Sequence, residues 1–266
     1  MKFLISLIFL SQITYASFQK EFNSERYQIF PDQITTSEIN KDSFSSKINE
    51  ILPIFIKDSL AQNRMIVQNP MWETPYFSAW AQKQNDLVYM INFWGGMARI
   101  PGMLTETWEF IICHEIGHII GGHPYHQKVT DSLWASSEGQ ADHFAVVSCL
   151  PKFYRSQTQL LEPLDLYPYE VSLCEEKYSK EEDKIICKKI LRAGRGFVDI
   201  NSYLNPDIAK ADFFSNEIEA EKTIFDSYPS MQCRFDIFKT ASQCLQDKNC
   251  QRNDCWYKEL SISQPR

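Results

Sequence analysis

The chain has 266 residues, of which 44% are hydrophobic and 23% charged. That length supplies one large domain or two small ones with a real core, and the composition excludes both a disordered chain and a fibre. With 27 Lys and Arg against 34 Asp and Glu the net charge is -7, so nothing draws the surface as a whole toward phosphate backbones or anionic lipid. Nucleic acid is therefore excluded as a first-choice partner.

The N-terminus has the parts of a secretory leader: basic Met1-Lys2, an apolar run from Phe3 to Leu10, and the small Ala16 at a cut site. Residues 1–16 are read as a signal peptide, leaving Ser17 first; a buried first strand or helix is the competing reading. The apolar run is far shorter than the ~20 residues that a bilayer requires, and no later stretch is long enough. The mature chain is expected to be soluble, without a transmembrane anchor, and exported to a periplasm or beyond. Eight cysteines, at 113, 149, 174, 187, 233, 244, 250 and 255, suit that destination as up to four disulfides. Cys174 with Cys187, and local pairing among Cys244, Cys250 and Cys255, are expected. No paired C-x-x-C spacing supports a cysteine zinc site.

Residues 17–45 are a polar lead-in, and 46–266 read as one domain. Lys47 to Leu60 has helical spacing of Ile48, Ile51, Leu52 and Phe55, with Pro53 against it. Asp86 to Trp94 is rich in β-branched and aromatic residues and predicts a strand ending in a turn at Gly95-Gly96. Thr105 to Ile120 predicts an apolar helix, with Thr105 capping it, Glu106 and Glu109 suited to its positive end, and Gly121-Gly122 stopping it. A second helix follows a loop, begun by a Ser137–Gln140 capping box and ended at Leu150 by Pro151. From 151 to 227 signals are weak, and helical spacing resumes near Arg234 to Leu245. The fold class is α+β: mainly helical, with a small mixed sheet and a disulfide-tied C-terminal portion.

All five histidines (His114, His118, His123, His126 and His143) fall in one thirty-residue window. His114 and His118 are four apart on the first predicted helix and so share a face, able to reach one metal ion with Glu115 beside them to take a proton from water. A helix with two idle histidines is the plainer alternative. A catalytic zinc has three protein ligands and an open position. On the second helix, Glu138 and Asp142 are also four apart: Glu138 is placed to complete the site, and Asp142 to bond the far nitrogen of a ligating histidine. The same spacing suits two solvated acids. His123 falls one residue short of a third-histidine spacing, so His123 and His126 are read as loop residues, with lining the cleft as the alternative, and His143 points about 100° away from Asp142. Cys113 points away from His114 by the same angle and reads as packed or disulfide-bonded.

His114-Glu115-x-x-His118 followed by Glu138-x-x-Ala141-Asp142 resembles the gluzincin metallopeptidases, nearest the branch of the heat-shock protease HtpX and the CAAX prenyl proteases, in its small exported bacterial form. That branch has a His-Pro pair with an Arg five residues beyond the Pro; here Tyr228-Pro229 precedes Arg234 at that spacing, with Tyr in place of His. The likeness spans roughly residues 85–240. It implies a zincin-like domain, Zn2+ as cofactor, and a peptide or protein substrate. Tyr228 or Arg234 then stands near the oxyanion, and the strand Leu87 to Phe93 before the zinc helix pairs with an extended substrate as an edge strand; the residues themselves suit an ordinary core strand equally. The expected activity is zinc-dependent endopeptidase. The alternatives are an exported binding or scaffold protein with a non-catalytic zinc site, and a zinc amidohydrolase of cell-wall peptides.

Overall fold

A computed structural model describes residues 16–17, 28–128, 134–163, 165–246 and 250–259. Apart from Ala16, the expected leader lies outside the described residues. The described part of the lead-in is more than surface, since Ile29 and Ile39 are buried in the main core. Helix α1 (Lys41–Ile51) begins before the expected Lys47 because Asn40 caps it. The Asn40 side chain accepts the amides of Asp42 and Ser43 while Ser43 Oγ accepts the amide of Asn40. At Pro53 the chain tightens into a 3-10 turn, Leu52–Phe55, before α2 (Ile56–Ala61).

The sheet contains β1 (Ala16–Ser17), β2 (Met65–Met71), β3 (Ala79–Lys83) and β4 (Val88–Trp94) in the order β1-β3-β4-β2. β4 is parallel to β2 and antiparallel to β3. The strand read from Asp86 to Trp94 is thus interior rather than an edge, as its buried Tyr89, Ile91 and Phe93 require. The side of β3 away from β4 is taken by the two residues of β1, which pair antiparallel there, Ala16 opposite Ala81 and Ser17 opposite Trp80. After β4 the chain enters a short helix α3 (Gly95–Ala98) instead of the expected turn.

Helix α4 (Thr105–Ile120) packs against β3 and β4 and is buried from Glu106 to Ile120. Leu104, not Thr105, is its N-cap, and the Thr105 amide is satisfied from a distance by Glu38 Oε2 at 2.8 Å. Glu106 and Glu109 do lie near the helix start, and both are buried: Glu106 pairs with Lys189 and Arg192, and Glu109 pairs with Lys47 and accepts from the Tyr154 hydroxyl.

The second predicted helix starts at Glu138 without the expected capping box. Gln140 donates to Gly121 O and accepts from Arg252, and Ser137 makes no side-chain cap. Nor does Pro151 end it. α5 (Glu138–Phe144) runs through a π-helical segment, Ala145–Cys149, into α6 (Leu150–Ser156), with Pro151 in the first turn of α6. A wider turn immediately before a proline accommodates its missing N–H. The weakly marked region contains α7 (Pro168–Lys177) and the long α8 (Glu181–Leu204), and α9 (Met231–Ser242) follows. Among the described residues, no helix is long and apolar enough to cross a membrane.

All eight cysteines are paired. Cys174–Cys187 and Cys244–Cys250 form as expected, whereas Cys255 reaches back to Cys233 and is not part of a local knot. Cys113–Cys149 ties α4 to the π-helical segment across 36 residues. Loop-closure entropy assigns such a crosslink about 4 kcal/mol. Replacing both Cys113 and Cys149 by Ala is expected to lower the unfolding free energy by about 3–4 kcal/mol in urea titrations.

Candidate metal centre

The site forms where α5 crosses α4. Gly117 permits the approach: a Cβ there would sit 2.9 Å from the Ala141 carbonyl oxygen and 3.0 Å from its Cα. Gly139 plays the same part on the other side of α5, where a Cβ would meet the Trp256 ring at 2.5 Å. Trp256 follows the Cys233–Cys255 disulfide and is fully buried, so the C-terminal portion braces the helix that presents Glu138.

Both α4 histidines turn Nε2 toward the same carboxylate oxygen, Glu138 Oε2, at 3.2 Å from His114 and 3.6 Å from His118. Their other nitrogens are fixed. His114 Nδ1 bonds Asp142 Oδ1 at 2.7 Å, and His118 Nδ1 bonds the Ser136 carbonyl at 2.8 Å. Each bond sets the ring's orientation and leaves Nε2 facing inward. Ser136 is itself held, its amide donating to His118 O and its hydroxyl to Gly122 O.

Glu115 lies beside this group with Oε2 lacking any hydrogen-bond partner, as does Glu138 Oε2. The backbone of Ala81, on β3, bonds the Glu115 carboxylate. All of these side chains are buried. Unpartnered buried carboxylate oxygens are costly unless something absent from the protein completes them. His114, Glu115 and His118, and separately His118, His126 and Glu138, are grouped closely enough to hold a metal ion.

The local fields are strong and opposed. Burial alone would depress His114, but the carboxylates of Asp142 and Glu138 prevail and raise it to about 10. Burial lowers His118 to about 4, against the pull of Glu138 and with help from the neighbouring His114 and His126 rings. Burial lifts Glu115 to about 8, only partly offset by His114. Glu138 is held below the ordinary carboxylate range, because His118 and His114 outweigh its burial.

Asp142 is fully buried and meets two partners, His114 and Arg234. Arg234 clasps it with Nε at 2.6 Å and Nη2 at 2.8 Å, its guanidinium lying between the Phe197 and Tyr228 rings at 4.5 and 5.1 Å. Tyr228 hydrogen-bonds Glu138, and burial lifts its hydroxyl well above the usual tyrosine range. The structure thus gathers His114, Glu115, His118, Glu138, Asp142, Tyr228 and Arg234 in one place, while His123 is exposed and Cys113 is spent in its disulfide.

Three further residues take part: His126, for which lining the cleft was only the alternative reading, and Asp226 and Ser136, which the sequence did not single out. His126 is 8% exposed and directs Nε2 toward Glu138 Oε1 at 3.8 Å. Asp226 stands behind it, and Ser136 orients His118 through its backbone. The crowding of all five histidines into one window was the signal available for His126; a backbone carbonyl and a distant aspartate leave none. No family model, curated protein or solved structure matches the chain.

Proposed function

We propose that the protein is an exported zinc-dependent endopeptidase. The observation that carries this reading is the convergence of His114 Nε2, His118 Nε2 and Glu138 Oε2 at 3.2 and 3.6 Å. A tetrahedral ion with bonds of 2.0–2.1 Å separates its ligand atoms by roughly 3.3–3.4 Å. The residues therefore fit zinc, with three protein ligands and a position left for water or substrate. The order of these residues along the chain, and the later Tyr228-Pro229 and Arg234, support a gluzincin relationship. Four disulfides suit an oxidising compartment.

Zinc, when bound, would polarise a carbonyl and bring the pKa of a water toward ~7. Glu115 is the base that receives that water's proton and returns it to the leaving amine. Its raised affinity for a proton suits both halves of the transfer, and its free oxygen is available for it. Asp142 and the Ser136 carbonyl keep the two imidazoles in their ligating tautomers. A peptide is the favoured substrate because the side of β3 away from β4 already accepts an extended segment antiparallel, opposite the Ala81 that contacts Glu115. A purely structural zinc site would have no use for Glu115.

The test is to measure zinc per chain and cleavage of an unfolded protein with and without a chelator. Binding at a ratio near one, with cleavage abolished by chelation, is expected; a muropeptide cleaved in preference would redirect the reading to a cell-wall amidohydrolase. Glu138→Ala is expected to weaken zinc binding severely in chelator competition. Metal uptake must also expel protons, since His114 holds one at pH 7 and ligation requires the neutral ring. Calorimetry in buffers of different ionisation enthalpy should register about one proton or more released per zinc. Uptake without proton release would contradict the protonation described here.

A further inference from the structure

His126 lies with His118 and Glu138 in the second of the two groupings, yet it meets Glu138 differently from the α4 histidines. The α4 rings converge on Glu138 Oε2, whereas His126 Nε2 faces the other oxygen, Oε1, at 3.8 Å. That is too long for a hydrogen bond, and Nε2 has no partner although the ring is more than nine-tenths buried. The loop that carries the ring is nevertheless held in place. The His126 amide donates to Ala135 O at 2.9 Å, and its Nδ1 faces Asp226 Oδ1 at 3.8 Å. The same Asp226 oxygen accepts the amides of Gln127 and Lys128 at 2.7 and 2.9 Å, clasping the loop that carries His126.

A buried polar nitrogen aimed into a site is costly unless a ligand satisfies it. The other two polar groups at this wall are already engaged, Tyr228 with Glu138 and Arg234 with Asp142. We propose that His126 Nε2–H donates a hydrogen bond to the scissile carbonyl oxygen of a bound peptide as that oxygen gains negative charge, with Asp226 as the positioning residue behind the ring. The inference rests on the peptidase reading and assigns one donor within it. It also separates His126 from a fourth metal ligand, which would occupy the position that substrate needs. A donor built into a water-poor wall acts only on charge that develops during reaction.

The experiment compares the zinc-loaded parent with H126A, H126Q and D226N. It measures zinc affinity by chelator competition, kcat and KM on a peptide, and binding of a phosphonamidate peptide that imitates the tetrahedral species. For H126A the expected result is a kcat about 10²–10³-fold lower, KM and zinc affinity little changed, and a comparable loss in phosphonamidate binding. H126Q, which keeps a donor, should recover part of each, and D226N should fall between parent and H126A. Should H126A fail to fold, H126Q and D226N carry the comparison. Unchanged phosphonamidate affinity in the variants would overturn the assignment. A drop in zinc affinity with an altered visible spectrum of the cobalt-substituted protein would overturn it too, making His126 a ligand. A parent that binds no zinc or cleaves no peptide is a different failure, that of the peptidase reading itself.

Discussion

Replacing Glu115 by Gln is expected to leave zinc bound and to cut peptide hydrolysis by about 10²–10⁴-fold, the usual share of a positioned general base. The amide has the same shape and can still accept from the Ala81 backbone, so the helix and its two imidazoles stay in place. It cannot take a proton from water or return one to an amine. Equal zinc content together with undiminished cleavage would remove Glu115 from the mechanism.

The same variant carries an independent signature in the metal-free protein. Burial raises the Glu115 carboxyl to about 8 in the folded chain, from a reference of 4.5. Between those values the folded state binds a proton that the unfolded state has released, so this group makes stability fall as pH rises. Gln carries no such proton. Metal-free E115Q is therefore expected to be more stable than the metal-free parent, by a margin that widens from pH 5 to pH 8 in urea titrations. Contributions common to both proteins, His114 included, cancel in the difference.

Helix α4 was legible in the sequence because several signals coincide there: an apolar stretch of the right length, glycines at its end, and imidazoles four residues apart. Its partner carboxylates were legible for the same geometric reason, since Glu138 and Asp142 occupy one face of α5. Other elements were hidden by tertiary effects. In α8 the buried Ile186, Ile190, Ala193 and Phe197 keep helical spacing, but Lys188 and Arg192 are buried beside them. Charges that pair with Glu162, Glu175, Glu38 and Glu106 from other elements disguise a core helix as a solvated one.

Pro151 misled because a local π-helical turn, invisible in composition, absorbs its missing donor. The strand signal of β4 was legible, with edge and core positions both open to it, whereas β3, Ala-Trp-Ala-Gln-Lys, has little β-branched character and left no signal of its own. The Cys233–Cys255 bridge depends on how α9 packs and has no local cue. His126 reaches the site through a loop, and loop geometry leaves no period to read.

Arg234 carries the second large effect. Its likeness to the arginine of the HtpX branch placed it near the oxyanion, but two of its donors are committed to Asp142, which in turn fixes His114. Arg234→Met keeps much of the side-chain volume between Phe197 and Tyr228 while leaving the Asp142 carboxylate buried without its cation. Breaking a buried pair in this way is expected to cost about 3–5 kcal/mol of unfolding free energy. Loosening the group behind a ligating histidine is expected to weaken zinc binding about 10–100-fold. The two losses have separate causes and can be pulled apart. Adding Asp142→Asn to Arg234→Met removes the stranded charge, so the double variant should regain much of the stability. It should regain little zinc affinity, because an amide supports the His114 imidazole less well than a carboxylate. If stability and zinc affinity return together, Arg234 serves the fold alone; if only stability returns, the Arg234–Asp142–His114 chain is part of the metal centre.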